Sequence, residues 1–270
     1  MPLHSQICIT VLAGCFTFCV ALALTGALLR RSRTTLPAVP LFPGSDFPGI
    51  FTKFYITFFF ITFIASLIEE CRQGESGPLT EEQLPDLVMS CCMQILLYAP
   101  LLVAYFRQPR RNRPAFSFWR RLKWWSMGIL LLMLPGGILQ VSDFTPWLIE
   151  VTGCPSQQSV VEYVQHSPLS IKIIVIFMAV IVAPLTEECC FRGCLYNILR
   201  QYASPALAAM ASGLLFGAVH NSLAQFLPLT LFGIFQCYAY ERARSLWLPI
   251  SLHMLFNAIS IIAILLCPIP

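Results

Sequence analysis

Eight apolar runs divide the chain, and they constrain its fold more than any other feature of the sequence. They cover residues 7–29, 50–68, 87–106, 124–141, 171–199, 205–220, 223–240 and 246–266. About 20 apolar residues in a helix suffice to cross the hydrocarbon core of a bilayer. Only 11% of the residues are charged and 57% are hydrophobic, whereas a soluble domain carries about 25% charged residues. The sequence therefore predicts an all-α, polytopic integral membrane protein with about eight transmembrane helices.

The charged loops indicate how these spans are oriented. Basic residues cluster after the first span, in the loop 107–123, and after the fifth and seventh spans, whereas the loop 69–86 is acidic. Because cytoplasmic loops carry the excess of Lys and Arg, we expect the basic segments inside and the acidic loop outside. We expect a multi-pass integral membrane protein, which in a bacterium would lie in the plasma (inner) membrane. The net charge of +4 does not favour nucleic acid as a partner, so the expected surroundings are membrane lipids.

Two adjacent acids interrupt the fifth apolar run. Of the 13 acidic residues, only Glu187 and Glu188 lie inside an apolar run rather than in a loop or at the end of a span. An acid within the membrane is energetically costly and is a functional candidate by default. Glu188 and Arg192 are four residues apart, so on a helix they share a face and can pair. Glu187 is rotated by about 100° from its neighbour, and we expect its carboxylate to stay available for chemistry.

Two histidines and an asparagine lie in the spans that follow. His220 completes the pattern Phe-x-x-x-His in the sixth run, and His253 and Asn257 form His-x-x-x-Asn in the eighth. Separate burial of these polar groups would be costly, whereas gathering them gives each one partners. A carboxylate can act as general base, an imidazole can orient or donate a proton, and an amide can stabilise an oxyanion. The set therefore suits hydrolysis.

Other interpretations of the same residues stay open. Polar side chains also hold membrane helices together, which would suit a non-catalytic scaffold, and intramembrane acids also serve proton-coupled transporters. Glu187, His220 and His253 match the ligand types of catalytic zinc, although the sequence contains no His-Glu-x-x-His pattern. We expect no cofactor, with zinc at these three residues as the alternative.

The three patterns together, in this order and on successive hydrophobic segments, resemble the CPBP family of intramembrane proteases. That family includes the type II CAAX prenyl endopeptidases and the bacterial bacteriocin-processing, Abi-like and immunity proteins. The resemblance covers residues 171–266. It implies two regions, a four-span region with the basic cytoplasmic loop at residues 1–170 and a catalytic membrane core at residues 171–270.

The resemblance also implies an activity, namely hydrolysis of a peptide bond in a membrane-tethered substrate. That substrate would be a prenylated CAAX-type protein or a leader peptide. By motif position, Glu187 would activate water, His220 would assist at the water, and His253 and Asn257 would contact the oxyanion or the substrate carbonyl. The family is described both as metalloproteases and as metal-free glutamic proteases, and an unpaired Glu187 favours the second.

By the same resemblance, Glu188 and Arg192 would support the site rather than react. We expect the three motifs to meet in a cavity on the cytoplasmic side of the membrane. A straight sixth span would carry His220 to the opposite side. The prediction therefore requires the sixth span to be tilted, to start late or to be partly re-entrant.

Overall fold

The structure, a computed structural model, describes residues 78–107, 123, 125, 127, 159–220, 222–243 and 245–266. The secondary structure of these residues is helical and includes no strand, as the all-α prediction requires. The predicted spans 7–29 and 50–68, and almost all of 124–141, lie outside the described residues. The total of about eight spans therefore stays a prediction.

Five of the described helices lie at five of the predicted spans, and one lies elsewhere. The helices are α1 Leu84–Arg107, α2 Ser159–His166, α3 Leu169–Tyr202, α4 Pro205–Ala218, α5 Leu223–Ala243 and α6 Trp247–Leu266. Among them α3, with 34 residues, and α6, with 20, are long and apolar enough to cross a membrane.

Helix α2 lies between the predicted spans 124–141 and 171–199, in a segment for which the sequence predicts no helix. Val161 and Val164 lie on one face of this short helix and are buried. Val164 packs in a cluster with Ile171 of α3 and Ile261 of α6. The apolar face of α2 is only one turn long. Because polar residues lie between its valines, the mean hydropathy of the segment stays low and does not indicate a span. Its stability therefore comes from tertiary packing rather than from its own sequence.

Helix α3, which carries both acids, is not a regular α-helix. Two π-helical segments, Met178–Val182 and Cys189–Tyr196, flank the α-helical segment Ala183–Glu188. Such wide turns are rare and often lie at functional sites. They change the direction of the side chains that follow, so the positions of Glu187 and Glu188 depend on where the widening occurs.

Pro184 and the first π-helical segment leave one carbonyl of α3 without a backbone partner. The N–H of Ala183 donates to the carbonyl of Met178, five residues back, instead of to that of Ala179. Pro184 is the next residue and has no N–H. The side-chain amide of Asn257 in α6 supplies the missing donor, with 2.7 Å from its Nδ2 to the carbonyl oxygen of Ala179. The irregular turn of α3 is thereby fastened to α6.

Helices α4 and α5 form a hairpin that packs closely through glycines. A Cβ atom on Gly213 would lie 2.6 Å from Cγ1 of Ile234 and 2.8 Å from the carbonyl oxygen of Thr230. A Cβ atom on Gly233 would lie 2.8 Å from Cα of Gly213. The two backbones therefore approach as in the small-x-x-x-small contacts of membrane helices.

Helix α4 is shorter than the hydrocarbon core of a bilayer is thick. Its 14 residues extend about 21 Å, which is less than the roughly 30 Å thickness of a bilayer core. The helix ends at Ala218, and the turn that follows it carries His220. The helix begins at Pro205, so the sixth span does not start late, and a tilted or partly re-entrant span stays a prediction.

Candidate active site

Glu187 lies between the two histidines. Its Oε2 atom is 3.9 Å from Nε2 of His220 and 4.0 Å from Nε2 of His253. Both distances exceed those of direct hydrogen bonds, and this buried Oε2 has no hydrogen-bond partner among the described residues. The side chains of Glu187 and His220 are each 20% exposed, so this side of the site is only partly covered by the described residues.

The other ring nitrogens determine the tautomers of the two histidines. Nδ1 of His253 is 2.9 Å from Oε1 of Glu188, and Nδ1 of His220 is 2.7 Å from the carbonyl oxygen of Phe216. A carboxylate and a carbonyl only accept hydrogen bonds, so each Nδ1 carries the hydrogen. Each neutral ring then presents the lone pair of Nε2 toward Glu187. Three acceptors face a common point, which suits a molecule that donates hydrogen bonds, such as water.

Glu188 has different surroundings from its neighbour. It is fully buried, and its Oε1 atom accepts hydrogen bonds from three helices: from Arg192 of α3 at 2.9 Å, from His253 of α6 at 2.9 Å and from Gln236 of α5 at 3.3 Å. Arg192 is also fully buried, and its second terminal nitrogen donates to the carbonyl oxygen of Gly233 at 3.0 Å. The ion pair predicted from the four-residue spacing is present within α3. The bond of Arg192 to Gly233 then links α3 to α5.

Aromatic rings surround this polar group. The ring of Phe216 lies 4.7 Å from that of His220 and 5.7 Å from that of His253, between centroids, and the ring of Phe232 lies 5.4 Å from His253. The guanidinium of Arg192 is 4.6 Å from the centroid of Phe216, within the range of a cation–π contact. These contacts limit rotation of the imidazoles and keep the ion pair in an apolar setting.

Asn257 lies one helical turn beyond His253 on α6. Its amide donates to the carbonyl of Ala179, as described above, rather than to Glu187 or to either histidine. An amide nitrogen carries two hydrogens, so this bond engages one donor of Asn257. Glu187 thus lies near both His220 and His253. Asn257 contacts α3, the helix of Glu187, through the carbonyl of Ala179.

The residues proposed as zinc ligands have suitable chemistry but not a suitable arrangement. Glu187, His220 and His253 are ligand types of catalytic zinc, and their Nδ1 bonds resemble those of metal-binding histidines. Within the described ranges, however, no group of three His, Cys, Asp or Glu side chains is arranged to hold a metal ion.

Two buried residues next to this site were missed by sequence analysis. Gln236 is fully buried in α5, and a lone amide between Phe235 and Cys237 is a signal that could have found it. Tyr98 of α1 is 5% exposed, and its hydroxyl lies 3.5 Å from the thiol of Cys190, three residues after Glu187. Nothing in the sequence of α1 distinguishes this tyrosine from other aromatic residues in the spans.

Comparisons with known proteins find similarity in the part of the chain that carries the candidate site. Residues 169–259 match the model of a family described as type II CAAX prenyl endopeptidase Rce1-like. The Bacillus subtilis (strain 168) protein named "Putative membrane peptidase YdiL" is 26% identical over 176 residues, which are 64% of this chain and 68% of that protein. An Escherichia coli protein named "Uncharacterized 24.3 kDa protein" is 39% identical over 79 residues, or 27% of this chain and 36% of that protein. No solved structure matches the chain.

Proposed function

We propose that this chain is an intramembrane endopeptidase of the family whose model residues 169–259 match, the Rce1-like type II CAAX prenyl endopeptidases, and that Glu187 activates water in it. The observation that carries the proposal is the buried Oε2 of Glu187, 3.9 Å and 4.0 Å from the Nε2 atoms of His220 and His253. A carboxylate oxygen with no direct partner among the described residues, beside two imidazole lone pairs, is suited to general base catalysis.

In the proposed reaction, a water molecule donates one hydrogen bond to Glu187 and one to His220. Its oxygen lone pair then attacks the carbonyl carbon of the scissile peptide bond, and Glu187 takes the proton that the water loses. The tetrahedral intermediate collapses when Glu187 returns this proton to the leaving amide nitrogen. His220 is held by the carbonyl of Phe216 at 2.7 Å, which keeps its Nε2 an acceptor toward the water.

His253 and Asn257 serve the carbonyl oxygen of the substrate in this proposal. Glu188 lies 2.9 Å from Nδ1 of His253 and holds the ring so that Nε2 points toward the reacting group. In the form of the enzyme that has taken up a second proton from solvent on Nε2, His253 would donate from that atom to the oxyanion as negative charge develops there. The second amide hydrogen of Asn257 is the other available donor.

The proposed substrate is a peptide held at the membrane. The description of the matching family names CAAX prenyl endopeptidases, so prenylated C-terminal peptides are the first class to test. Unmodified leader peptides with an apolar segment are the second. Both would approach from the lipid, because the helices that carry the site include two long enough to cross a bilayer.

The test is cleavage of membrane-tethered peptides by the purified full chain and by Glu187→Gln. The substitution keeps the size of the side chain and removes the base, so we expect kcat to fall about 100-fold or more while the unfolding temperature is retained. Glu82→Gln, at an exposed acid before α1, is the matched control and should cleave like the parent. Cleavage by Glu187→Gln at the parental rate would refute water activation by this residue.

A chelator distinguishes the two proposed chemistries. Activity that persists in EDTA supports a metal-free glutamic protease. Activity that is lost in EDTA and restored by added zinc would instead assign Glu187, His220 and His253 as ligands. A parent protein that cleaves neither prenylated nor leader peptides would contradict the endopeptidase and favour a scaffold.

A further inference from the structure

Gln236 lies in the middle of α5, a helix that carries none of the three sequence patterns. Its side chain is fully buried. Its amide nitrogen has two hydrogens, and both have acceptors: Oε1 of Glu188 at 3.3 Å and the backbone carbonyl oxygen of Pro249 at 2.9 Å. One side chain thus bridges an acid of α3 and the first turn of α6.

Both acceptors belong to the surroundings of His253. Oε1 of Glu188 is also the acceptor of His253 Nδ1, at 2.9 Å. Pro249 lies four residues before His253, so in α6 its carbonyl accepts the backbone N–H of His253. Pro249 is in the first turn of α6, where a missing N–H removes no helical bond; it starts the helix rather than kinking it. Gln236 therefore holds both Glu188, which accepts from the ring of His253, and the carbonyl of Pro249, which accepts from the backbone of His253.

We propose that Gln236 is a positioning residue that holds the imidazole of His253 toward Glu187. This inference rests on the proposed function, in which His253 must present Nε2 at the reacting carbonyl. Arg192 neutralises Glu188, and the bond of Arg192 to the carbonyl of Gly233 already ties α3 to α5. The distinct effect of Gln236 is on α6, through Pro249, and on the location of Oε1 of Glu188.

A substitution of Gln236 can distinguish a positioning role from a purely structural one, because the side-chain oxygen of Gln236 makes no hydrogen bond to the described residues. Oε1 of Gln236 is buried and has no hydrogen-bond partner among the described residues. Gln236→Met keeps the length of the side chain and removes this unsatisfied acceptor together with the two donors. Both acceptors keep other donors, namely Arg192 and His253 at Glu188 and the backbone N–H of His253 at Pro249. The substitution therefore leaves neither acceptor unsatisfied and should change the unfolding temperature little. A structural role predicts little change in this variant, whereas a positioning role predicts a slower reaction.

The experiment measures cleavage kinetics and the imidazole ¹⁵N spectrum of the full chain in lipid bilayers. We expect kcat of Gln236→Met to fall about 10-fold, because a displaced catalytic group slows the chemical step, with KM within about twofold of the parent. In the spectrum, the signal of His253, assigned with a His253→Gln sample, should change from a single Nδ1–H tautomer to a mixture. Unchanged kcat or an unchanged His253 signal would overturn the proposal.

Two further variants complete the test. Gln236→Glu keeps the shape of the side chain but donates only while protonated, so its kcat relative to the parent should decrease as pH rises; a constant ratio would contradict the proposal. Glu241→Gln, on the same helix, removes the charge partner of Arg200. It should lower the unfolding temperature without altering kcat or the His253 signal. If the parent cleaves no peptide, the proposed function fails, while the spectra still decide whether Gln236 holds His253.

Discussion

At the scale of single residues, two identical neighbouring side chains have opposite surroundings. Glu188 is fully buried beside the fully buried Arg192, so their charges balance. Among the described residues, Oε2 of Glu187 has no hydrogen-bond partner and faces the Nε2 atoms of His220 and His253 at about 4 Å. Arg192 therefore pairs with Glu188, and Glu187 is the acid of the two that is partly open.

The balance between Glu188 and Arg192 can be tested by removing one charge and then both. Arg192→Met leaves a buried carboxylate unpaired, which should cost about 3–5 kcal/mol of unfolding free energy. The double variant Arg192→Met, Glu188→Gln holds no charge at these positions and should regain most of that stability. It should remain slow in cleavage, because His253 loses its carboxylate partner at Nδ1. Unfolding in detergent and cleavage rates are the measurements.

A loss below about 1 kcal/mol for Arg192→Met, as for an exposed pair, would contradict the buried ion pair. Recovery of the full cleavage rate in the double variant would contradict the proposed influence of Glu188 on His253.

At the scale of helices, the irregular turn of α3 is bonded to Asn257, the last residue of the His-x-x-x-Asn pattern. The π-helical segment Met178–Val182 and Pro184 together leave the carbonyl of Ala179 without a backbone donor, and Asn257 supplies one. Asn257 therefore has a structural partner in addition to its proposed catalytic one. This double use explains why a polar residue lies at this position of an apolar helix.

A double-mutant cycle tests this fastening of α6 to α3. Asn257→Leu removes the donor for Ala179 and should cost about 1 kcal/mol of unfolding free energy. Pro184→Ala restores a backbone N–H in α3, which allows the helix to satisfy the carbonyl of Ala179 itself. Asn257→Leu should therefore cost about 0.5 kcal/mol less in the Pro184→Ala background. Equal costs in both backgrounds would show that Pro184 does not create the need for Asn257.

At the scale of the whole molecule, hydropathy and motif spacing predicted the positions of α1 and α3–α6 and the residues of the candidate site. They did so because apolar runs of membrane length and misplaced charges are local properties of the sequence. The packed helix α2, the π-helical turns and the contacts of Gln236 were not predicted. Gln236 reaches residues 48 and 13 positions away, and such contacts depend on helix packing that no local pattern records.

The contacts between the two predicted regions are also long-range. Tyr98 of α1 belongs to the same buried cluster as Cys189, Cys190 and Cys194 of α3, and the indole nitrogen of Trp125 donates to Ser251, two residues before His253, at 3.2 Å. Neither Tyr98 nor Trp125 lies within the residues that match the family model. The division into a region 1–170 and a core 171–270 is untested by these contacts, but they involve α3 and α6, two of the helices that carry the candidate site.

We therefore expect residues 159–270, expressed alone, to be less stable and slower in cleavage than the full chain. Lipid can cover the exposed face of α3, so the loss comes from packing and from the Tyr98–Cys190 contact rather than from contact with water. Co-expression with residues 1–158 should restore both properties, as measured by unfolding temperature and cleavage rate. Tyr98→Phe in the full chain separates the two causes, because it keeps the ring and removes the hydroxyl. A fragment 159–270 with the stability and rate of the full chain would show that α1 and Trp125 only border the site.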